Sequence, residues 1–142
     1  MQAQRGPARC DVVAVELLSF DKVVAAAGVT DPDGLAFDLN HVCGLEPATA
    51  RFRLGFLRVE DAAGWVCDPC TYLTCGDRGG YRKVLSLTQA YRAGRPVPPI
   101  VYGWLAGERP SLQILDGLHR LNAAAAAGLA ALAAYETVTS GE

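Results

Sequence analysis

The sequence predicts a single α+β domain, a small mixed sheet with flanking helices, and three observations lead there. At 142 residues the chain can bury one genuine core, and 51% hydrophobic with 20% charged residues is the balance of a folded globular protein. Short apolar runs of strand length alternate with stretches of helical period, and no segment repeats. Glycine and proline fall where elements should stop, at Gly28, Gly94, Pro96 and Gly128.

Charge and hydropathy narrow the functional classes. A net charge of -2 and a pI near 5.7 supply no overall attraction to nucleic acid, so DNA is not expected as a partner. No apolar run approaches the ~20 residues of a membrane helix, and Asp11 and Glu16 interrupt the first apolar stretch, so a cytoplasmic protein away from membranes is expected. There the five cysteines read as free thiols or metal ligands rather than disulfides. The oligomeric state is open at this level.

Taken in order, residues 1–50 read as an N-terminal extension of unassigned role, beginning with a polar disordered tail at 1–8. Residues 11–18 (DVVAVELL) suit a strand, although Glu16 and Leu17 would also suit a helix. Ser19 caps a helix over 20–27 that Gly28 closes, and residues 31–34 (DPDG) carry the signature of a turn. Residues 35–46 receive no assignment. The domain proper, 51–138, opens on a strand at 51–59 (RFRLGFLRV), where arginines interleave with apolar residues. Residues 64–80 (GWVCDPCTYLTCGDRGG) read as an inserted, Cys-rich surface loop. From Tyr81 the period is helical, with Val84, Leu87 and Tyr91 on one stripe and Gly94 past the end. Pro98 and Pro99 introduce a strand at 100–105, residues 107–110 (GERP) turn the chain, and 111–115 form the paired strand. Asp116 and Gly117 then lead into an alanine-rich helix. A last strand is expected over 131–138, although alanine and leucine favour helix there.

The chemistry concentrates at residues 116–120 (DGLHR). The first N–H groups of a helix lack partners within it, and the helix dipole favours an anion. Gly117 permits close approach to the backbone, while the His119 imidazole and Arg120 guanidinium suit a phosphate. Asp116 either caps the helix or orients the turn and helps hold a metal. Residues 77–83 (DRGGYRK) set basic groups around two glycines as a second anion site. Tyr102 and Trp104 share a strand face, either as core or to stack on a ligand. Cys67, Cys70 and Cys75, with Cys43 or His41, have ligand types for Zn²⁺; free thiols and a Cys67–Cys70 redox pair are the alternatives.

Three segments in sequence order, KVLSL (83–87), VPPIVYGWL (97–105) and LDGLHRLNAA (115–124), together resemble the ParB and sulfiredoxin superfamily. The resemblance implies ATP or ADP with Mg²⁺ as cofactor, its phosphates held by Lys83, Ser86, Gly117, His119 and Arg120. A third hydroxyl of that helix falls at Ala90 and is missing, with Thr88 the nearest substitute. Leu118 stands where sulfiredoxins carry their catalytic cysteine, which removes their thiol chemistry. ParB proper is not the expected match, because residues after 134 leave little room for the helix-turn-helix domain that follows in those proteins. What the resemblance leaves is a phosphotransferase, a kinase for a small hydroxylated metabolite, with Asp116, His119 and Arg120 in the site. Glu60 would stand near the place of the base in ParB-like free serine kinases, and Arg58 resembles an arginine near the sulfiredoxin site. The alternative is a non-enzymatic nucleotide switch or a ParB-like partner module.

Overall fold

The computed structural model describes residues 16–107 and 109–138. Its sheet has five strands, β1 (Leu17–Ser19), β2 (Arg51–Arg58), β3 (Ile100–Trp104), β4 (Leu112–Asp116) and β5 (Ala131–Val138), in the order β1-β2-β5-β3-β4. β2 runs antiparallel to both β1 and β5, β3 is parallel to β5, and β4 is antiparallel to β3. Five helices flank it: α1 (Phe20–Ala26), α2 (Pro32–Cys43), α3 (Cys70–Thr74), α4 (Arg78–Arg92) and α5 (Leu118–Ala126). This is the mixed sheet with flanking helices that the sequence predicts.

Successive strand residues point to opposite faces, and helices cover both faces except along β2, where Leu54 and Phe56 stay exposed. Val101 joins Phe52 and Tyr135 in a core with Val23, Leu35 and Leu39 of α1 and α2. Ile100 and Tyr102 face the other way, toward Leu57, Leu132, Leu121 and Ala124, under α5 and a 3₁₀ segment at Val59–Trp65. α4 packs on the outer side of α5. Burial on both faces explains why β5 is a strand despite its composition: ALAAYETV needs small residues where two layers close on it, and tertiary packing overrides helix propensity.

Three expectations need correction. Residues 31–34 are no free turn but the start of α2: Asp31 accepts the Gly34 N–H at 3.1 Å and Pro32 occupies the first turn. An aspartate acceptor and a fixed-φ proline serve a turn or a helix start equally, and Leu35, Leu39 and Cys43, buried at four-residue spacing, decide for the helix. The unassigned stretch 35–46 is therefore mostly α2. The described part of residues 1–50 is no appendage, since β1 pairs with β2 and α1 and α2 build half the core. The tail at 1–8 and the first part of the 11–18 strand lie outside the described residues.

The Cys-rich stretch is not a loop. It holds the end of the 3₁₀ segment, α3 and the first turn of α4. Gly80, read with the loop, is buried inside α4, where a Cβ would meet first the capping Asp77 carboxylate and then the Tyr72 ring at 2.9 Å. Its lack of a side chain makes room for the cap of α4 and for α3 rather than for chain flexibility.

Candidate phosphate-binding cleft

Of α1, α2, α4 and α5, three begin with a side-chain acceptor: Ser19 for α1, Asp31 for α2 and Asp77 for α4. α5 begins at Gly117, with φ of 102° and no side-chain cap. Only glycine serves here, because the backbone is left-handed and an added Cβ would lie 2.5 Å from Ile100 Cγ2. The early N–H groups of α5 thus have no side-chain partner, and the dipole of the helix is unopposed there. Asp116 is not the cap that one reading of DGLHR suggested.

These N–H groups border a cleft of about 450 Å³ between α5, α4 and the loop after α1. Lys83 and Leu87 come from α4, Gly28 and Thr30 from the loop, Pro98 from the strand entrance, and residues 116–120 from the β4–α5 turn. Lys83, Asp116, Gly117, His119 and Arg120 are therefore brought together as expected. Ser86 is exposed and does not line the cleft, to which α4 contributes Lys83 and Leu87 at i, i+4. Thr88 is no substitute hydroxyl: it is buried and donates to the Val84 carbonyl at 2.7 Å.

Arg120 has a different part from the one expected. One terminal nitrogen donates to the carbonyls of Ala27, Pro98 and Pro99 at 2.9, 3.1 and 2.7 Å. The other donates to Asp116 Oδ2 at 2.7 Å, with only 13% of the arginine side chain exposed. The guanidinium fastens the end of α1 and the strand entrance to the β4–α5 turn, so it shapes the cleft from behind. Burial pushes the Asp116 carboxyl above its usual range, against the opposing charges of Arg120 and Lys83.

His119 is half-buried, and its ring lies 5.5 Å from that of Tyr72 on α3. Burial first, then Lys83, hold its pKa below 6.5, with Asp77 pulling the other way. Behind it, buried Asn122 accepts the Cys67 N–H at 2.6 Å and donates to the carbonyls of Trp65 and Leu118. It also donates to the Tyr72 hydroxyl at 3.4 Å. The Cys-rich segment is thereby hung on α5 and closes over His119.

Other expected groups lie elsewhere. Glu60 is exposed, pairs with Arg58 at 3.2 Å and borders a different depression with Leu129 and Ala130. Arg58 also pairs with Asp61, in solvent. Tyr102 and Trp104 do share a face, edge to face at 6.2 Å, but line a larger cleft of about 620 Å³ at the opposite end of the β3–β4 hairpin. The basic group on that cleft, Arg58, is already paired with Asp61, and among the described residues no α-helix N-terminus opens onto it, so it is less suited to phosphate than the smaller one. The second anion site at 77–83 is closed by the protein's own carboxylate, since Asp77 accepts the Gly80 N–H at 2.8 Å. Cys43 is buried in the core under α2, whereas Cys67, Cys70 and Cys75 are partly or fully exposed around α3. Among the described residues no three His, Cys, Asp or Glu side chains converge as metal ligands.

Sequence reasoning missed Thr30, Tyr72 and Asn122. The first two come from segments read as extension and insertion, and nothing in their spacing marks them. Asn122 was legible, as the one polar residue within an alanine run on a buried helix stripe. Compared with family models, curated proteins and solved structures, the chain matches none.

Proposed function

We propose that this cleft binds the phosphates of a nucleotide, ATP or ADP with Mg²⁺, and that the protein is a phosphotransferase acting on a small hydroxylated metabolite. The observation that carries the reading is the uncapped N-terminus of α5 opening onto a cleft that also holds Lys83, His119 and Thr30. The resemblance of residues 83–87, 97–105 and 115–124 to the ParB and sulfiredoxin superfamily supports it.

The nucleotide supplies the transferable phosphoryl group, and Mg²⁺ arrives on its phosphates. Lys83 and the α5 N–H groups neutralise phosphate charge, and the Thr30 hydroxyl adds a donor. His119, kept neutral by burial, donates to a phosphate oxygen or takes the proton of the acceptor hydroxyl. Arg120 and Asp116 hold the cleft in shape. Binding without transfer is the second reading. What favours it is the shortage of a free carboxylate, with Asp116 tied to Arg120 and Glu60 outside the cleft.

Calorimetry with Mg²⁺ and ATP or ADP tests the binding. Lys83→Ala, at an exposed position on α4, should weaken binding roughly 10-fold, as for loss of one charge-assisted contact of about 1.5 kcal/mol. Equal affinity in wild type and Lys83→Ala, or no binding at all, would refute the site. A screen of hydroxylated metabolites for ADP release then separates transfer from binding alone.

A further inference from the structure

Charge is unevenly divided along the chain. From Glu16 to Glu46 there are six carboxylates and a single lysine, whereas from Arg78 to Gly107 there are five basic residues and no carboxylate. The fold places the centres of these two runs on opposite sides of the sheet, because α2 packs on the Phe52 and Val101 face and α4 lies outside α5 on the other.

Each helix also leaves an apolar centre uncovered within its charged face. On α2, Phe37 is 59% exposed and stacks on His41 at 3.9 Å, flanked by Asp33 and Asp38. On α4, Leu85 is 40% exposed, in a stripe with Arg78, Arg82 and Gln89 at i, i+4, i+7 and i+11. Among the described residues Asp33, Asp38, Arg78 and Arg82 form no ion pair. An apolar centre with a charged rim is the anatomy of a protein interface, and arginine is enriched in such places.

We propose that the α4 face docks on the α2 face of a second copy of this chain, head to tail. Complementary charge selects the partner: Arg78 and Arg82 meet Asp33 and Asp38, and Leu85 meets Phe37. The two faces back onto opposite sides of one sheet, so they cannot satisfy each other within a molecule. A contact between unlike faces is heterologous and builds a ring or a chain of copies rather than an isologous dimer. Two helix faces of this length make an interface at the small end of the specific range, below about 1,200 Å², so the association is weak and set by charge. A long polyanion suits α4 less well, because Leu85 would gain nothing from it and the net charge of -2 opposes it. The proposal is independent of the nucleotide reading, since none of these side chains lines the cleft.

Sedimentation velocity of the full chain over a range of concentration tests it, at about 0.01 M and about 1 M salt, where the Debye length is about 30 Å and about 3 Å. Species larger than a monomer are expected at low salt and lost at high salt. Arg78→Glu with Arg82→Glu, and separately Asp33→Lys with Asp38→Lys, should each give monomers, and an equimolar mixture of the two variants should associate again. That recovery also shows both variants to be folded. A wild type that stays monomeric at low salt, association indifferent to both charge reversals, or association only after a single-stranded oligonucleotide is added would overturn the proposal.

Discussion

The Arg120 guanidinium makes four hydrogen bonds inside the protein, to the carbonyls of Ala27, Pro98 and Pro99 and to Asp116. A sequence shows that an arginine stands beside a helix N-terminus; it does not show which carbonyls the fold brings within reach, and those come from residues up to 93 positions away. His119 was legible as a candidate residue of the cleft, but its surroundings were not, because the Tyr72 ring that lies against it comes from α3. Its depressed pKa has a consequence for stability. As pH falls from 6.5 through the lower folded value, the unfolded chain takes up a proton that the native imidazole refuses, so stability declines over that window and His119 contributes nothing above it. A bound phosphate should reverse the shift, so nucleotide binding should draw in a proton and tighten as pH falls through the same window. Proton NMR titration of His119 should give a midpoint below 6.5 in the free protein and a higher one with Mg²⁺ and ADP. Coincident midpoints would exclude contact between the phosphates and His119.

At the scale of elements, the strands read at 51–59, 100–105, 111–115 and 131–138 and the helices read at 20–27, from Tyr81 and after Gly117 have counterparts in the fold, and most errors arose where one signal serves two structures. DPDG is both a turn and a helix start, and a glycine pair reads as a loop although Gly80 makes room for the cap of α4 and for α3. The segment from Trp65 to Tyr72 packs Trp65 and Val66 against the core, and beyond them Asn122 ties it to α5 by hydrogen bonds. Asn122→Ala should therefore cost about 1–3 kcal/mol, because it leaves the part-buried Cys67 N–H and Trp65 carbonyl without their partner. The loss should be concentrated: amide exchange at residues 67–75 should accelerate far more than in β2 or β5. Uniform acceleration across the sheet would mean that Asn122 supports the core at large.

At the scale of the whole molecule, the sheet separates the cleft from two helix faces of opposite charge. One end of the β3–β4 hairpin carries the uncapped α5 terminus and its cleft, and the two outer helix faces carry opposite charge. The layered architecture was legible because alternation and breakers report it directly. The cleft was half legible: DGLHR and Lys83 were found, while its third wall, Gly28 and Thr30, belongs to a segment whose role only packing reveals. The central claim is that nucleotide phosphates occupy the α5 N-terminus. The most direct measurement is a titration of ¹⁵N-labelled protein with Mg²⁺ and ADP, followed through its backbone amides. The largest shifts should fall on Leu118, His119 and Arg120, with smaller ones at Thr30 and Lys83. Unmoved amides at 118–120, or shifts confined to the Tyr102 and Trp104 cleft, would contradict it.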